Sequence, residues 1–126
     1  MKFQDLLAYQ KSFALAMEIF EISKTFPVEE KYSLTDQIRR SSRSVSANIA
    51  ESTRKRRYLK HFISKLTDSD SENAETQVWL EYACACKYID MNTCYALTAK
   101  SIEVGKLLNY MMNNPEKFNV LIETSK

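Results

Sequence analysis

The sequence predicts an all-α protein, an antiparallel up-down four-helix bundle, and three observations carry that prediction. One Gly and two Pro in 126 residues are too few for the turns that a β-rich fold needs roughly every ten positions. Apolar residues recur at three- and four-residue steps through four long segments. Only short breaks separate those segments, and short connections make neighbouring helices antiparallel. A hydrophobic fraction of 44% and a charged fraction of 27% are those of a globular domain with a single core. The bundle is placed at residues 1–113, with a C-terminal tail at 114–126. No apolar run approaches the ~18–20 residues of a membrane span, and no apolar stretch of signal-peptide type follows the first residues. The reading is a cytoplasmic protein with no membrane partner.

The first helix is expected over residues 4–25, with Leu6, Tyr9, Phe13, Met17 and Phe20 as its apolar stripe. Phe26-Pro27 stops it, because proline cannot continue the helical hydrogen bonding and disfavours the helical conformation in its predecessor. The second helix begins at Ser33, where Ser33-Leu34-Thr35-Asp36 resembles a capping box with Asp in place of Glu. Leu34, Ile38, Val45 and Ile49 form its apolar line. Its remaining positions are small and polar (Ser41, Ser42, Ser44, Ser46, Ala47, Asn48), which suits close helix approach or a polar network. The third helix spans residues 57–87. Its buried line runs through Leu59, Phe62 and Leu66, then Ser69, Asn73 and Thr76, then Leu80, Ala83 and Cys84. The fourth starts at the N-cap Asp90, takes its apolar surface from Tyr95, Ile102, Leu107, Leu108, Met111 and Met112, and ends at Asn113-Asn114-Pro115. In the tail, Phe118, Val120, Leu121 and Ile122 either dock or fray.

Charge is distributed unevenly. Arg54, Lys55, Arg56, Arg57, Lys60 and Lys65 form a run with no acidic residue, in a chain of net charge +2. Asp68, Asp70, Glu72, Glu75 and Glu81 follow. With helices two and three turning near Lys55 and Arg56, Arg43 falls beside Asp68, Arg40 near Asp70 or Ser71, and Arg39 near Glu72. The acidic block then neutralises those arginines across the pair, while the basic corner keeps no acid of its own. Arg57 and Lys60 in the first turn of helix three oppose the helix dipole at a cost of about 0.3–1 kcal/mol each. Such a corner either binds a polyanion or is an ordinary solvated tip.

Catalytic chemistry is not legible. His61 is the single histidine, which excludes a dimetal site of the Glu-x-x-His type and leaves a triad without an acidic neighbour. One glycine, Gly105, cannot build a phosphate loop. Cys84, Cys86 and Cys94 lack redox or zinc spacing and read as small apolar residues of a reducing compartment. No metal and no cofactor is called for. Tyr58 and Phe62 flank the basic run, as bases stacking on rings would require, although packing explains aromatics equally. Trp79, Tyr82 and Cys86 lie off the main seam of helix three, as a contact with another subunit or with a protein partner requires.

Several stretches together resemble the four-helix-bundle proteins of the 23S ribosomal RNA intervening-sequence type. They are Phe26-Pro27, Gln37-Ile38-Arg39-Arg40 and Asn48-Ile49-Ala50-Glu51, with Glu72-Asn73-Ala74-Glu75 through Trp79-Leu80 and the segment around Gly105. The chain departs from that pattern at Ser52, Ser71 and Lys87, where glycine is common. The resemblance implies a bundle that assembles into a homo-oligomeric ring, commonly a pentamer. It also implies kinship with an accessory protein of diversity-generating retroelements, which binds nucleic acid and a reverse transcriptase. Arg39, Arg40, Arg43, Arg54, Lys55, Arg56 and Arg57 carry over as basic positions. The leading expectation is a non-catalytic oligomer binding RNA or DNA through Arg54, Lys55, Arg56, Arg57 and Lys60. The alternative is a protein-interaction adaptor anchored on Trp79 and Tyr82.

Overall fold

Four helices carry the chain: α1 (Leu7–Ser23), α2 (Leu34–Ser52), α3 (Leu59–Ala85) and α4 (Met91–Asn113). They come from a computed structural model that describes residues 1–121, and no strand occurs among them. Single 3-10 turns at Phe3–Asp5, Val28–Glu30, Thr53–Lys55 and Pro115–Phe118 fill the connections. α1 packs on α2 and α4, and α3 packs on the same two helices.

The second and third helices bury the lines their sequences predict. Leu34, Ile38, Val45 and Ile49 are buried, as are Phe62, Leu66, Ser69, Asn73, Thr76, Leu80 and Ala83. The boundaries and caps differ in detail. α1 starts at Leu7 because Leu6 is extended after the 3-10 turn. Ser33 is the N-cap of α2 but makes no capping bond; its hydroxyl donates to the Glu30 carboxylate. The expected capping box with Asp36 is therefore absent. Asp90 does cap α4, accepting from the Thr93 backbone N–H at 2.7 Å.

The outer helices bury only part of the apolar stripe predicted for them: Leu6, Leu108 and Met111 are buried, and Tyr9, Leu107 and Met112 pack partly buried against the core. In α1 the buried positions are Ala8, Ser12, Leu15, Ala16, Ile19 and Ser23, whereas Phe13 and Met17 are 50% and 48% exposed. In α4 they are Cys94, Leu97, Ser101, Val104, Leu108 and Met111, whereas Tyr95 and Ile102 are exposed. Both helices carry apolar residues on more than one face, and the buried face of each mixes large aliphatic residues (Leu15 and Ile19, Leu97 and Leu108) with small ones that let the neighbouring helices approach. Cys84 is half-buried and Cys86 exposed.

The core has two apolar halves with a polar layer between them. Val45, Ile49, Phe62, Leu66, Val104 and Leu108 belong to the half nearer the α2–α3 corner. Leu15, Ile19, Ile38, Leu80, Ala83 and Leu97 belong to the other. In the layer, Ser41 and Thr76 hydroxyls meet at 2.9 Å, and Ser69 Oγ donates to the Val45 carbonyl at 2.8 Å. Asn73 Nδ2 donates to the Ser101 carbonyl and Asn73 Oδ1 accepts from Ser101 Oγ, both at 2.8 Å. Gln77 Nε2 donates to the same hydroxyl at 2.9 Å. Buried polar atoms are tolerable only when paired in this way. Gly105 faces Asn73, since a Cβ there would stand 3.4 Å from Nδ2.

α3 ends in a left-handed turn. Lys87 has φ 64°, its N–H donates to the Cys84 carbonyl, and Tyr88 N–H reaches the Ala83 carbonyl, both at 2.9 Å. This is a Schellman motif with its C′ residue at Lys87, a position that favours glycine. The glycine missing there thus concerns a helix end, and its replacement does not stiffen a helix interior. Lys87→Gly is expected to stabilise the protein by about 1 kcal/mol by removing the Cβ penalty of that conformation. Thermal unfolding should show a Tm rise of about 4 °C, and an unchanged or lower Tm would count against the argument.

Within the tail, Val120 is buried, Phe118 packs against the core, and Leu121 N–H donates to the Arg56 carbonyl at 3.0 Å. Ile122, also expected to dock or fray, lies outside the described residues.

Candidate nucleic-acid interface

The corner between α2 and α3 is closed by its own small residues. Ser52 is fully buried and its hydroxyl donates to the Ile49 carbonyl at 2.6 Å; Thr53 Oγ1 does the same to Ala50 at 2.7 Å. These bonds satisfy carbonyls that a helix end leaves open. The chain then makes the 3-10 turn, passes Arg56 and Arg57, and turns extended at Tyr58, the N-cap of α3. Ile49 and Phe62, both fully buried, pin the corner from below.

Four of the predicted cations, Arg54, Lys55, Arg57 and Lys60, stand exposed together on this corner. None of them forms an ion pair among the described residues. Two members of the run behave differently. Lys65 pairs with Glu51 at 3.1 Å, so the corner is not wholly without acid. Arg56 is half-buried. Burial, and after it the neighbouring charge of Arg54, lower the proton affinity of its guanidinium. Tyr58 is 58% exposed and its ring lies 5.4 Å from that of the exposed His61. Phe62, the other ring flanking the run, is core, as the buried line of helix three predicts, and offers no stacking face.

The arginines of α2 do not meet the acidic block as expected. Arg39 Nε donates to Ser23 Oγ at 2.8 Å, and its guanidinium lies 4.7 Å from the Phe20 ring centre. Arg43 covers the same ring at 5.6 Å. Both therefore turn towards α1. Ring faces attract desolvated cations, and Ser23 supplies an acceptor. The register also differs. Ser41, Val45 and Glu51 meet Thr76, Ser69 and Lys65, about one to one and a half turns further along α3 than predicted. Arg40 remains exposed, and its charge favours the ionised Glu72 carboxylate. Glu72 still binds its proton more tightly than usual, first through burial, then through Glu75 and Asp68. Of the three α2 arginines only Arg40 acts on the acidic block, at Glu72, and none forms an ion pair with it among the described residues. Arg39 stands about 22 Å along the helix from Arg54 at 1.5 Å per residue, so the α2 arginines and the corner are separate features.

A second surface holds Trp79 and Tyr82, whose ring centres lie 5.8 Å apart. Trp79 Nε1 donates to Glu75 at 3.3 Å, and Tyr82 is 56% exposed. With Tyr32, Gln37 and Cys86 they line a groove of about 380 Å³. At its edge, Glu30 accepts from Ser33 Oγ, the Tyr88 hydroxyl and Leu34 N–H, which hold its carboxyl below the usual range. The same bond pushes Tyr88 up to about 12. A third surface, missed in the sequence, is a groove of about 360 Å³ between α1 and α2 lined by Tyr9, Phe13, Met17, Ala47 and Ala50. Its signal was present in the Tyr9-Phe13-Met17 spacing but was read as core. Among the described residues no cluster of three metal-ligating side chains occurs, and no helix is long and apolar enough to cross a membrane.

Four packed helices with an exposed cationic corner define an all-α helical-bundle protein. Residues 4–110 match the family described as 23S rRNA-intervening sequence protein, and the chain belongs to that family. It is similar to the crystal structure, at 1.70 Å resolution, of a protein of unknown function from the S23 ribosomal protein family of Bacteroides thetaiotaomicron VPI-5482. The two share 30% identity with a TM-score of 0.76, over 90% of this chain and 99% of that one. No curated protein matches the chain.

Proposed function

We propose that this protein is a non-catalytic, antiparallel bundle that assembles into a homo-oligomer and binds RNA or other nucleic acid through the α2–α3 corner. One observation carries the reading: Arg54, Lys55, Arg57 and Lys60 crowd an exposed corner without ion pairs among the described residues. Lysine and arginine side chains so placed neutralise phosphates and give affinity without base selection. The exposed Tyr58–His61 ring pair beside them offers a stacking face. Two unlike apolar grooves, one at Phe13 and Met17 and one at Trp79 and Tyr82, support assembly by head-to-tail contacts, the geometry that closes into rings. Repetition of the corner around a ring, of which a pentamer is one size, multiplies a weak contact by avidity.

The test is a titration of the assembled protein with structured RNA at two salt concentrations. Four phosphate contacts per corner predict an affinity loss of about 100-fold between roughly 50 and 200 mM salt. Affinity that does not respond to salt overturns the reading. The aromatic groove at Trp79 and Tyr82 favours a second reading, an adaptor that docks a protein such as a reverse transcriptase. Salt-insensitive capture of a protein, lost on truncating Trp79 and Tyr82, distinguishes it.

A further inference from the structure

Arg56 is the one cation of the corner that turns inward. Its Nε and Nη2 are sealed from solvent and meet no hydrogen-bond partner among the described residues. The same side chain lines a cavity of about 380 Å³ between the corner and the N-terminal turn, with Lys2, Phe3, Gln4, Thr53 and Arg54 around it. No carboxylate lines this cavity among the described residues. The nearby Asp5 carboxylate is occupied by the Lys2 backbone N–H at 3.2 Å. A guanidinium removed from water needs acceptors or a counter-charge, and burying it without either is costly. Evolution of a merely solvated corner gives no reason to place it there, since Arg54, Lys55 and Arg57 all stay in water.

We propose that this cavity is a built site for one phosphoryl group, with Arg56 as its principal donor and Arg54 and Lys2 as flanking cations. With Nε and Nη2 sealed, Nη1 is the guanidinium nitrogen left to donate to an oxyanion in the cavity, and a charge-assisted bond to one phosphate oxygen needs no more. The guanidinium charge is delocalised over three nitrogens, so an oxyanion entering from the cavity also compensates the sealed part of the head. Binding there relieves the two effects that disfavour the Arg56 charge, burial and the repulsion of Arg54. The inference rests on the corner as a nucleic-acid surface in so far as the phosphoryl belongs to a polynucleotide. The same chemistry is met by free phosphate.

The experiment compares melting of the full chain in phosphate and in chloride at equal ionic strength, for the wild type, Arg56→Met and Glu123→Gln. Glu123 follows Leu121, which is bonded to the Arg56 carbonyl, by two residues in sequence. The wild type should gain about 5 °C at a tenfold excess of phosphate over its Kd. Arg56→Met should melt at or above the wild type in chloride, because an uncompensated charge is gone, and should gain nothing from phosphate. Glu123→Gln should keep the full gain. A phosphate response that survives in Arg56→Met overturns the site. So does a wild type indifferent to phosphate and pyrophosphate, and a Glu123→Gln variant destabilised in chloride would then name the internal counter-charge. Should Arg56→Met fail to fold, the arginine Nε–H signals of the wild type decide: phosphate must shift those of Arg54 and Arg56, and their silence overturns the site. Oligonucleotides with a 5′-phosphate or a 5′-hydroxyl separate the sources: a preference for the former assigns the cavity to a strand end, and equal binding assigns it to backbone or free phosphate. RNA binding without a phosphate response sinks the cavity and leaves the corner; a phosphate response without RNA binding does the reverse.

Discussion

Asn73→Ala is expected to cost about 3 kcal/mol and to lower Tm by about 10 °C. The side chain is 3% exposed and makes two bonds to Ser101 at 2.8 Å, one through each end of its amide. Each bond contributes about 1 kcal/mol net, and stranding a buried partner adds about 1–3 kcal/mol more. The lost volume adds a cavity term, because Gly105 already brings α4 against Asn73 and leaves little to collapse. Ser101→Ala should cost less, since the Asn73 amide keeps its donor contact to the Ser101 carbonyl. The two substitutions share a network, so their effects should fall short of additive by about 0.5–3 kcal/mol in a double-mutant cycle. Additive losses, or a cost for Asn73→Ala below about 1 kcal/mol, would falsify the claim that this layer acts as a unit. The layer also explains why α2 and α3 tolerate indifferent helix formers such as Ser41, Ser42 and Ser69. Paired across the bundle, those residues fix one register between two apolar halves that would otherwise permit several.

Why the inner helices were legible and the outer ones were not follows from composition. α2 has one apolar line and a polar remainder, so Leu34, Ile38, Val45 and Ile49 admit one orientation. α3 interrupts its line with Ser69, Asn73 and Thr76 at helical spacing, and that polar middle is itself a signal. In α1, Phe13 and Met17 compete with Leu15 and Ile19 as an apolar stripe, and the second pair, flanked by the small Ala8, Ser12 and Ala16, is the one buried. Periodicity shows that a helix can bury an apolar stripe, whereas packing against its neighbours decides which of two stripes is buried. The same conflict in α4 sets Tyr95 and Ile102 outside and Cys94 and Ser101 inside. The corner was legible as a run of cations. That Arg39 and Arg43 are taken by Phe20 and Ser23 was not, because the α2–α3 register depends on how many residues the turn consumes. The inward turn of Arg56 depends on the N-terminal segment and on Leu121, both remote in sequence.

Reversing three exposed charges, Arg54→Glu, Arg57→Glu and Lys60→Glu together, is expected to weaken nucleic-acid binding at least 1,000-fold near 0.1 M salt and to flatten its salt slope by about three. The choice of residues follows the structure. Arg56 is excluded because a carboxylate placed in its half-buried position would confuse lost binding with lost folding. The three chosen positions are exposed and make no ion pair among the described residues, so no native bond is broken. Lys60 lies in the first turn of α3, where a cation opposes the helix dipole and a carboxylate favours it by about 0.3–1 kcal/mol. The variant should therefore be at least as stable as the wild type while losing its ligand. Those two outcomes separate the corner from a structural role, since a purely structural cluster would lose stability and binding together. Truncating Trp79 and Tyr82 should leave nucleic-acid affinity per protomer within tenfold, because the groove they line is made by the start of α2 and the far end of α3. If the reversed protein still binds RNA within tenfold of the wild type, the contact lies elsewhere and the adaptor reading takes precedence. If it loses stability along with affinity, these cations serve the fold, and their freedom from acidic partners has a cause inside the bundle.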